Sequence, residues 1–347
     1  MRIEWRNTAA GTETGNSLGY ATMSSQLRRH AARYAQILDN PGGDVALFLC
    51  HPAHYHPPTD GTPRVLLTMF EHDGPGYDMR VYTEAFERCD LIITPSEFCR
   101  KMFRAYTTKP IEVVPLGVET DVFTYRKRRF IPGREPFRFL FVGAPNVRKW
   151  TILEQLFGQL IAPLGPAAHL YIKTTGADLD WGTARLAEAG RAVERDGQVV
   201  RGEGYTVDSR LLSRDELVKL YHDAHVFLFP TAGEGWGLPL CEAAATGLPI
   251  VASRNTAVTE ILTDETAFLI DCEDRAIMTQ GRGDLSPTRE THLSVPRLDH
   301  AAALVTQIAG NYHAAQVRGR RASRSMAAYS WDASARKLVD AIRRFVR

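Results

Sequence analysis

The sequence predicts an α/β protein of two similar domains, each a parallel sheet with crossover helices. Three observations carry this. The chain has 347 residues, more than a single hydrophobic core usually holds. Short apolar runs alternate with helical patterns almost from end to end. The rhythm then breaks in the basic stretch "VFTYRKRRFIPGREPFRF", which carries Pro132, Gly133 and Pro136.

In the first half, "RIEW", "VALFLC", "VLLTMF", "LIIT" and "IEVVP" are apolar runs of strand length. Between them, Leu18 to Leu38 and Ser96 to Tyr106 read as helices, the second capped by Ser96. After the break, "FRFLFVG", "HLYIK", "QVVRG", "HVFLFP" and "LPIVAS" repeat the pattern. The expected boundaries are a first domain at 1–126, a linker at 127–136, a second domain at 137–328 and a closing helix at 329–347. Thr279 to Pro296 is polar and aperiodic, and reads as an exposed loop. The closing stretch "SWDASARKLVDAIRRFV" offers Asp332 as a cap. Its Leu338, Val339, Ile342 and Phe345 make an apolar face that needs a surface to cover.

Apolar content of 44% with 24% charged residues excludes a disordered or membrane-embedded chain. The net charge of +2 argues neither for nor against a polyanionic partner. Five scattered cysteines suit reduced thiols in a cytoplasmic protein better than a disulfide framework. The N-terminus lacks the apolar run of a signal peptide, and no stretch reaches the length of a membrane span. A peripheral contact with the inner face of a membrane stays open.

The most chemically loaded stretch is "GEGWGLPLCEAAATG", between two strands. Gly233, Gly235 and Gly237 let backbone approach a ligand at the start of a short helix that Pro239 opens and Gly247 ends. A helix N-terminus after a buried strand is a ready anion site. Glu234 and Glu242, with seven residues between them, would repel a phosphate there, so they need another task. Carboxylates accept well from vicinal hydroxyls. Phosphate on the helix end and hydroxyls on the acids together describe a nucleotide-sugar.

This stretch resembles the E-x7-E signature of retaining glycosyltransferases of family 4. Their fold, GT-B, sets two Rossmann-like domains facing across a cleft, with a C-terminal helix crossing back. Likeness extends to "ERCDLIITPSEFCRKMF", "IEVVPLGVETDVF", "FRFLFVGAPNVRKW", "RDELVKLYHDAHVFLFP" and "YSWDASARKLVDAI", and "TMFEHDGPG" is similar to the TMFE-x-D element of one branch. The resemblance implies Glu234 at the donor sugar, Glu242 on the ribose hydroxyls and Lys149 on the diphosphate. It also implies donor contacts along Gly235, Trp236, Gly237 and Leu238, and at Gly143. The family's arginine after that glycine is replaced by Ala144, which leaves Arg148 as the alternative phosphate ligand or else weakens activity. Lys173, ending "HLYIK", is a further phosphate candidate, and Gly19 opens the first helix toward the donor from the other domain.

On the acceptor side the candidates are Glu71, His72 and Asp73, with His72 nearest the reacting carbon and His51 lining the cleft. His51, His54 and His56 also raise zinc, but their proline-rich loop lacks a fourth ligand at a familiar spacing. The resemblance implies no metal and no cofactor beyond a nucleotide-diphosphate sugar as co-substrate. The expected activity is retaining transfer of a hexosyl or pentosyl group to a hydroxyl of a saccharide, glycolipid or other glycan. Two alternatives stand beside it. The basic stretches "YRKRRFIPGREPFR" and "QLRRHAARYA" allow a nucleic-acid acceptor, and Ala144 allows a sugar-nucleotide-binding protein without catalysis.

Overall fold

A computed structural model describes residues 1–6, 16–57, 59–71, 79–144, 147–174, 194–279 and 289–346. Six strands form the first sheet: β1 (Arg2–Arg6), β2 (Gln36–Leu38), β3 (Val45–Leu49), β4 (Arg64–Leu67), β5 (Leu91–Thr94) and β6 (Ile111–Val113). They run parallel in the order β2-β1-β3-β4-β5-β6. Both faces of this sheet are covered. Phe48, Leu66 and Ile92 pack under Phe86 of α2 (Arg80–Arg88) and Phe103 of α3 (Glu97–Arg104). Leu47, Leu67 and Ile93 face Met23 and Leu27 of α1 (Asn16–Ala31). The helix read over Leu18 to Leu38 therefore stops at Ala31, because Gln36–Leu38 is drawn off to pair with β1 at the sheet edge.

The second sheet has eight strands in the order β14-β13-β12-β7-β8-β11-β10-β9. Their ranges are β7 (Phe137–Val142), β8 (Ala168–Lys173), β9 (Glu194–Asp196), β10 (Val199–Gly202), β11 (Tyr205–Asp208), β12 (Val226–Phe229), β13 (Ile250–Ser253) and β14 (Phe268–Ile270). It is parallel except at one edge, where β9, β10 and β11 pair antiparallel. That corrects the expected all-parallel rhythm at "QVVRG". Two-residue turns, with Gly197 and Gly204 in the left-handed region, join these strands and leave no room for a crossover helix. A second correction concerns Thr279 to Pro296. β15 (Cys272–Thr279) and β16 (Arg289–Pro296) form an antiparallel pair, with Leu293 and Val295 buried on one face.

Helices α4 (Val147–Leu156), α5 (Arg214–Asp223), α6 (Leu238–Ala245), α7 (Val258–Ile261), α8 (Leu298–Gly310) and α9 (Tyr312–Ser325) accompany this sheet. The last helix, α10 (Trp331–Phe345), returns to the first sheet and packs against α1. Its cap is Ser330, whose hydroxyl accepts from Ala333 N at 3.1 Å. The sequence pointed to Asp332 instead, but that carboxylate takes the Arg33 guanidinium at 2.7 Å and the Tyr34 hydroxyl at 2.6 Å, fixing α10 to the turn that follows α1. Among the described residues no helix is long and apolar enough to cross a membrane. All five cysteines are free thiols.

Candidate active site

The carboxyl ends of β4 and β12, one from each sheet, meet face to face. The chain leaving β4 runs through Met69 and Phe70 to Glu71, and the chain leaving β12 runs through Thr231 to Gly237. They touch at backbone distance. A Cβ on Gly233 would stand 2.2 Å from Glu71 O, and one on Gly235 would stand 2.7 Å from Phe70 O. Here the two glycines admit the opposite domain. Gly237 instead takes φ 102° to turn the chain into α6, which only glycine does without strain.

Four charged side chains fill the contact. Lys149 Nζ lies 2.8 Å from Glu234 Oε1 and also sits over the Phe229 ring. Arg148 reaches the same oxygen at 3.3 Å, the Gly233 carbonyl, and Glu71 of the first domain. Arg148, Lys149 and Glu234 are all buried, and two cations against two carboxylates balance the charge removed from water. Burial alone would raise the Glu71 pKa, but Arg148 and Lys149 hold it below the ordinary value. Glu234 is fixed further by Thr231 Oγ1 at 3.2 Å, and its backbone N–H donates to Thr256 Oγ1 at 2.9 Å. Asn255 ties this shell together, donating to Thr231 O at 2.9 Å. Thr231, Asn255 and Thr256 went unnoticed in the sequence. Thr231 has no signal of its own, and Asn255 and Thr256 have only the polar "SRNT" at the end of β13.

Glu242 occupies a different environment on α6. Its Oε2 accepts from the Tyr221 hydroxyl at 2.8 Å, and burial pushes its pKa up to about 7. Lys173 is turned into the sheet end, donating to Thr174 O at 2.6 Å and Asp208 O at 3.1 Å, and burial lowers its pKa to about 8. Trp236 puts its ring in the interior against Tyr329, 2% exposed. Gly143 sits against Phe141 and the Lys149 stem, Leu238 is half-buried at the start of α6, and Gly19 lies exposed on α1. His51 packs edge-on to Tyr82. Burial and neighbouring His54 hold its pKa low, while nearby Glu71 pulls it upward. His72 and Asp73 lie outside the described residues. Among the described residues no three His, Cys, Asp or Glu side chains gather as a metal-binding group.

A second contact closes the same junction. Ser96, the cap of α3, accepts from Cys99 N at 3.2 Å and donates to Gly235 O at 2.9 Å. Glu260 of α7 accepts from the backbone N–H groups of Glu97 and Phe98 at 2.9 and 2.7 Å. The free N–H groups at the start of α3 are thus satisfied from the other domain.

Residues 87–338 match the family described as "Family 4 Glycosyltransferase in conflict systems". The chain belongs to this family. Among curated proteins it is similar to the O-antigen chain mannosyltransferase B of Escherichia coli, 25% identical over 236 residues. That match covers 64% of this chain and 54% of the relative. It is also similar to a GDP-mannose-dependent alpha-(1-6)-phosphatidylinositol dimannoside mannosyltransferase of Mycobacterium tuberculosis, 28% identical over 194 residues. There 54% of this chain and 47% of the relative are covered. The chain thus spans about half the length of these relatives. Among solved structures, the Anabaena protein HepE in complex with UDP and glucose matches with a TM-score of 0.67 and 11% identity, covering 99% of this chain and 100% of that one. Sucrose-phosphate synthase from Thermosynechococcus elongatus matches with a TM-score of 0.63 and 15% identity, covering 94% and 78%. The chain therefore has the GT-B fold.

Proposed function

We propose that this protein transfers a sugar from a nucleotide-diphosphate sugar to a hydroxyl of a saccharide or glycolipid, with retention of configuration. The observation that carries the reading is the joint between the sheets, where Glu234, Lys149 and Arg148 of one domain meet Glu71 of the other at strand carboxyl ends. In this reading the nucleotide lies along the α6 N-terminus, with its ribose hydroxyls on Glu242. Lys149, Arg148 and the helix end offset charge on the departing diphosphate. Glu234 and its Thr231–Thr256 shell hold the sugar, and Glu71 and His51 face the acceptor. The departing diphosphate takes the acceptor proton, so the protein supplies position and field and needs no metal. The relatives' names support the class: two are mannosyltransferases, and the HepE structure holds UDP and glucose.

A thermal-shift screen of nucleotide-sugars tests this, since a ligand that binds only the native state raises its melting temperature. A hit narrows base and sugar together. No stabilisation by any of them defeats the reading. In the variants, Glu242→Ala weakens nucleotide binding, whereas Glu234→Gln keeps binding and lowers turnover by about 100-fold or more. Equal loss of affinity in both overturns the assignment of roles.

A further inference from the structure

We propose a docking groove for single-stranded nucleic acid on the second domain, formed where two acid-free stretches of chain pack side by side. No acidic residue stands between Asp121 and Glu135, nor between Asp299 and Asp332. The first stretch carries Arg126, Lys127, Arg128, Arg129 and Arg134, and the second carries His313, Arg318, Arg320, Arg321 and Arg324 on α9.

The fold puts them together. Gln316 of α9 donates to Arg128 O, and the Arg320 guanidinium donates to the Tyr125 hydroxyl at 3.2 Å while lying 5.5 Å over its ring. Between the stretches is a groove of about 600 Å³, lined by Lys127, Arg128, Arg129, Phe130, Tyr312, His313 and Gln316. One lining cation, Arg128, has its guanidinium committed to the fold. Its buried guanidinium donates to Tyr221 O, Ala224 O and Thr246 O at 2.8 to 3.0 Å, fixing the segment to the carboxyl ends of α5 and α6. Arg318 is likewise turned onto the Phe268 ring. By contrast Lys127, Arg129, Arg321 and Arg324 are exposed, and none has a carboxylate within ion-pair distance among the described residues. The bordering acids are already engaged: Asp223 with Lys219 and Arg126, and Glu135 with Arg138.

Charge complementarity therefore calls for a polyanion. His313, Arg320 and Arg324 follow one stripe of α9 that spans about 16 Å at 1.5 Å per residue, room for several nucleotides. Tyr125, 41% exposed, carries Arg320 over its ring and borders the same stripe, while Phe130 and Tyr312 supply the aromatic surface of the groove. A concave, aromatic-floored channel suits a single strand better than a flat bilayer, which meets convex basic surface. The groove sits at the carboxyl end of α6, and the candidate donor site at its N-terminal end, so the two are separable by mutation.

The test measures fluorescence anisotropy of a labelled single-stranded oligonucleotide against salt. Lys127→Glu with Arg129→Glu, and separately Arg320→Glu with Arg324→Glu, each weaken binding about tenfold or more and lower the salt slope by about 0.7 per lost phosphate contact. The milder Lys127→Gln/Arg129→Gln pair shifts the same way, melting temperatures stay unchanged, and cross-links from the oligonucleotide map to Tyr125 and α9. Absent binding at low salt, binding indifferent to both pairs, or cross-links elsewhere overturn the proposal. So does a result in which the variants lose binding only to vesicles containing phosphatidylglycerol. Nucleotide-sugar stabilisation in the same variants reads the transferase function independently.

Discussion

Glu234 and Glu242 belong to one motif but meet opposite surroundings, and the difference is measurable. Glu234 is compensated by Lys149 and Arg148, whereas among the described residues Glu242 has one hydroxyl donor and no cation within ion-pair distance. Burial therefore dominates at Glu242, and folding takes up a proton there between pH 4.5 and about 7. The stability this group contributes is complete below its ordinary value and is lost as pH climbs through about 7. Melting temperatures measured across that range fall with rising pH in the native protein, and Glu242→Gln flattens that part of the profile. An unchanged slope in the variant places the titration elsewhere. Because sugar hydroxyls favour the charged carboxylate, nucleotide binding near neutral pH also releases protons. Calorimetry in buffers of different ionisation enthalpy detects the release, and its absence counts against ribose on Glu242.

At the scale of elements, α3 joins the two domains. Its first turn is capped twice, by Ser96 from within and by Glu260 from α7, and Ser96 also holds the carbonyl of Gly235 between the two glutamates. Ser96→Ala costs about 1 kcal/mol as a lost cap. If Ser96 also positions the glycine turn, the variant lowers kcat more than it raises KM, and Ser96→Thr recovers part of the loss. Glu260→Ala frees two backbone donors and widens the relative freedom of the domains. Small-angle scattering then records a larger radius of gyration, and an unchanged radius would show that the other contacts suffice. Of this junction, the sequence disclosed the Ser96 cap. Glu260 sits in an unremarkable "VTEIL", and no local pattern marks it as a cap for a helix 160 residues away in the chain.

At the scale of the molecule, the approach of the domains rests on backbone contacts that tolerate no side chain. Besides Gly233 and Gly235, a Cβ on Gly117 would stand 2.3 Å from Trp331 N, where the chain turns into α10. Gly117→Ala must push that turn away and loosen α10 from α1, at a cost of about 3 kcal/mol or more. Thermal melting together with proteolysis of the C-terminal segment checks this, and a native melting temperature would mean the turn shifts freely. The salt links of α10, from Asp332 to Arg33 and from Glu112 to Arg344, are exposed and add little beside its buried Leu338, Val339 and Ile342.

The sequence by itself determined the parallel βα rhythm, the break near Pro132, the motif helix between Pro239 and Gly247, and the pair of glutamates around which the site is built. Those features are local: strand runs, turn residues and helix punctuation act within a few positions of themselves. The β15–β16 pair was not legible, because the polar residues around Leu293 and Val295 leave no clear period over Thr279 to Pro296. Only the tertiary structure decided where charge is paired and where it is free. Arg148 stands in the sequence with no carboxylate beside it, and the fold sets Glu71 against it from 77 residues away. Lys173 ends a strand run in the sequence and the fold gives it two carbonyl partners, while Arg128 belongs to a basic run until helix ends enclose it. A side chain's charge is fixed by its type. Its partner is fixed by the packing of distant strands and helices, and the energy of burying it depends on that partner.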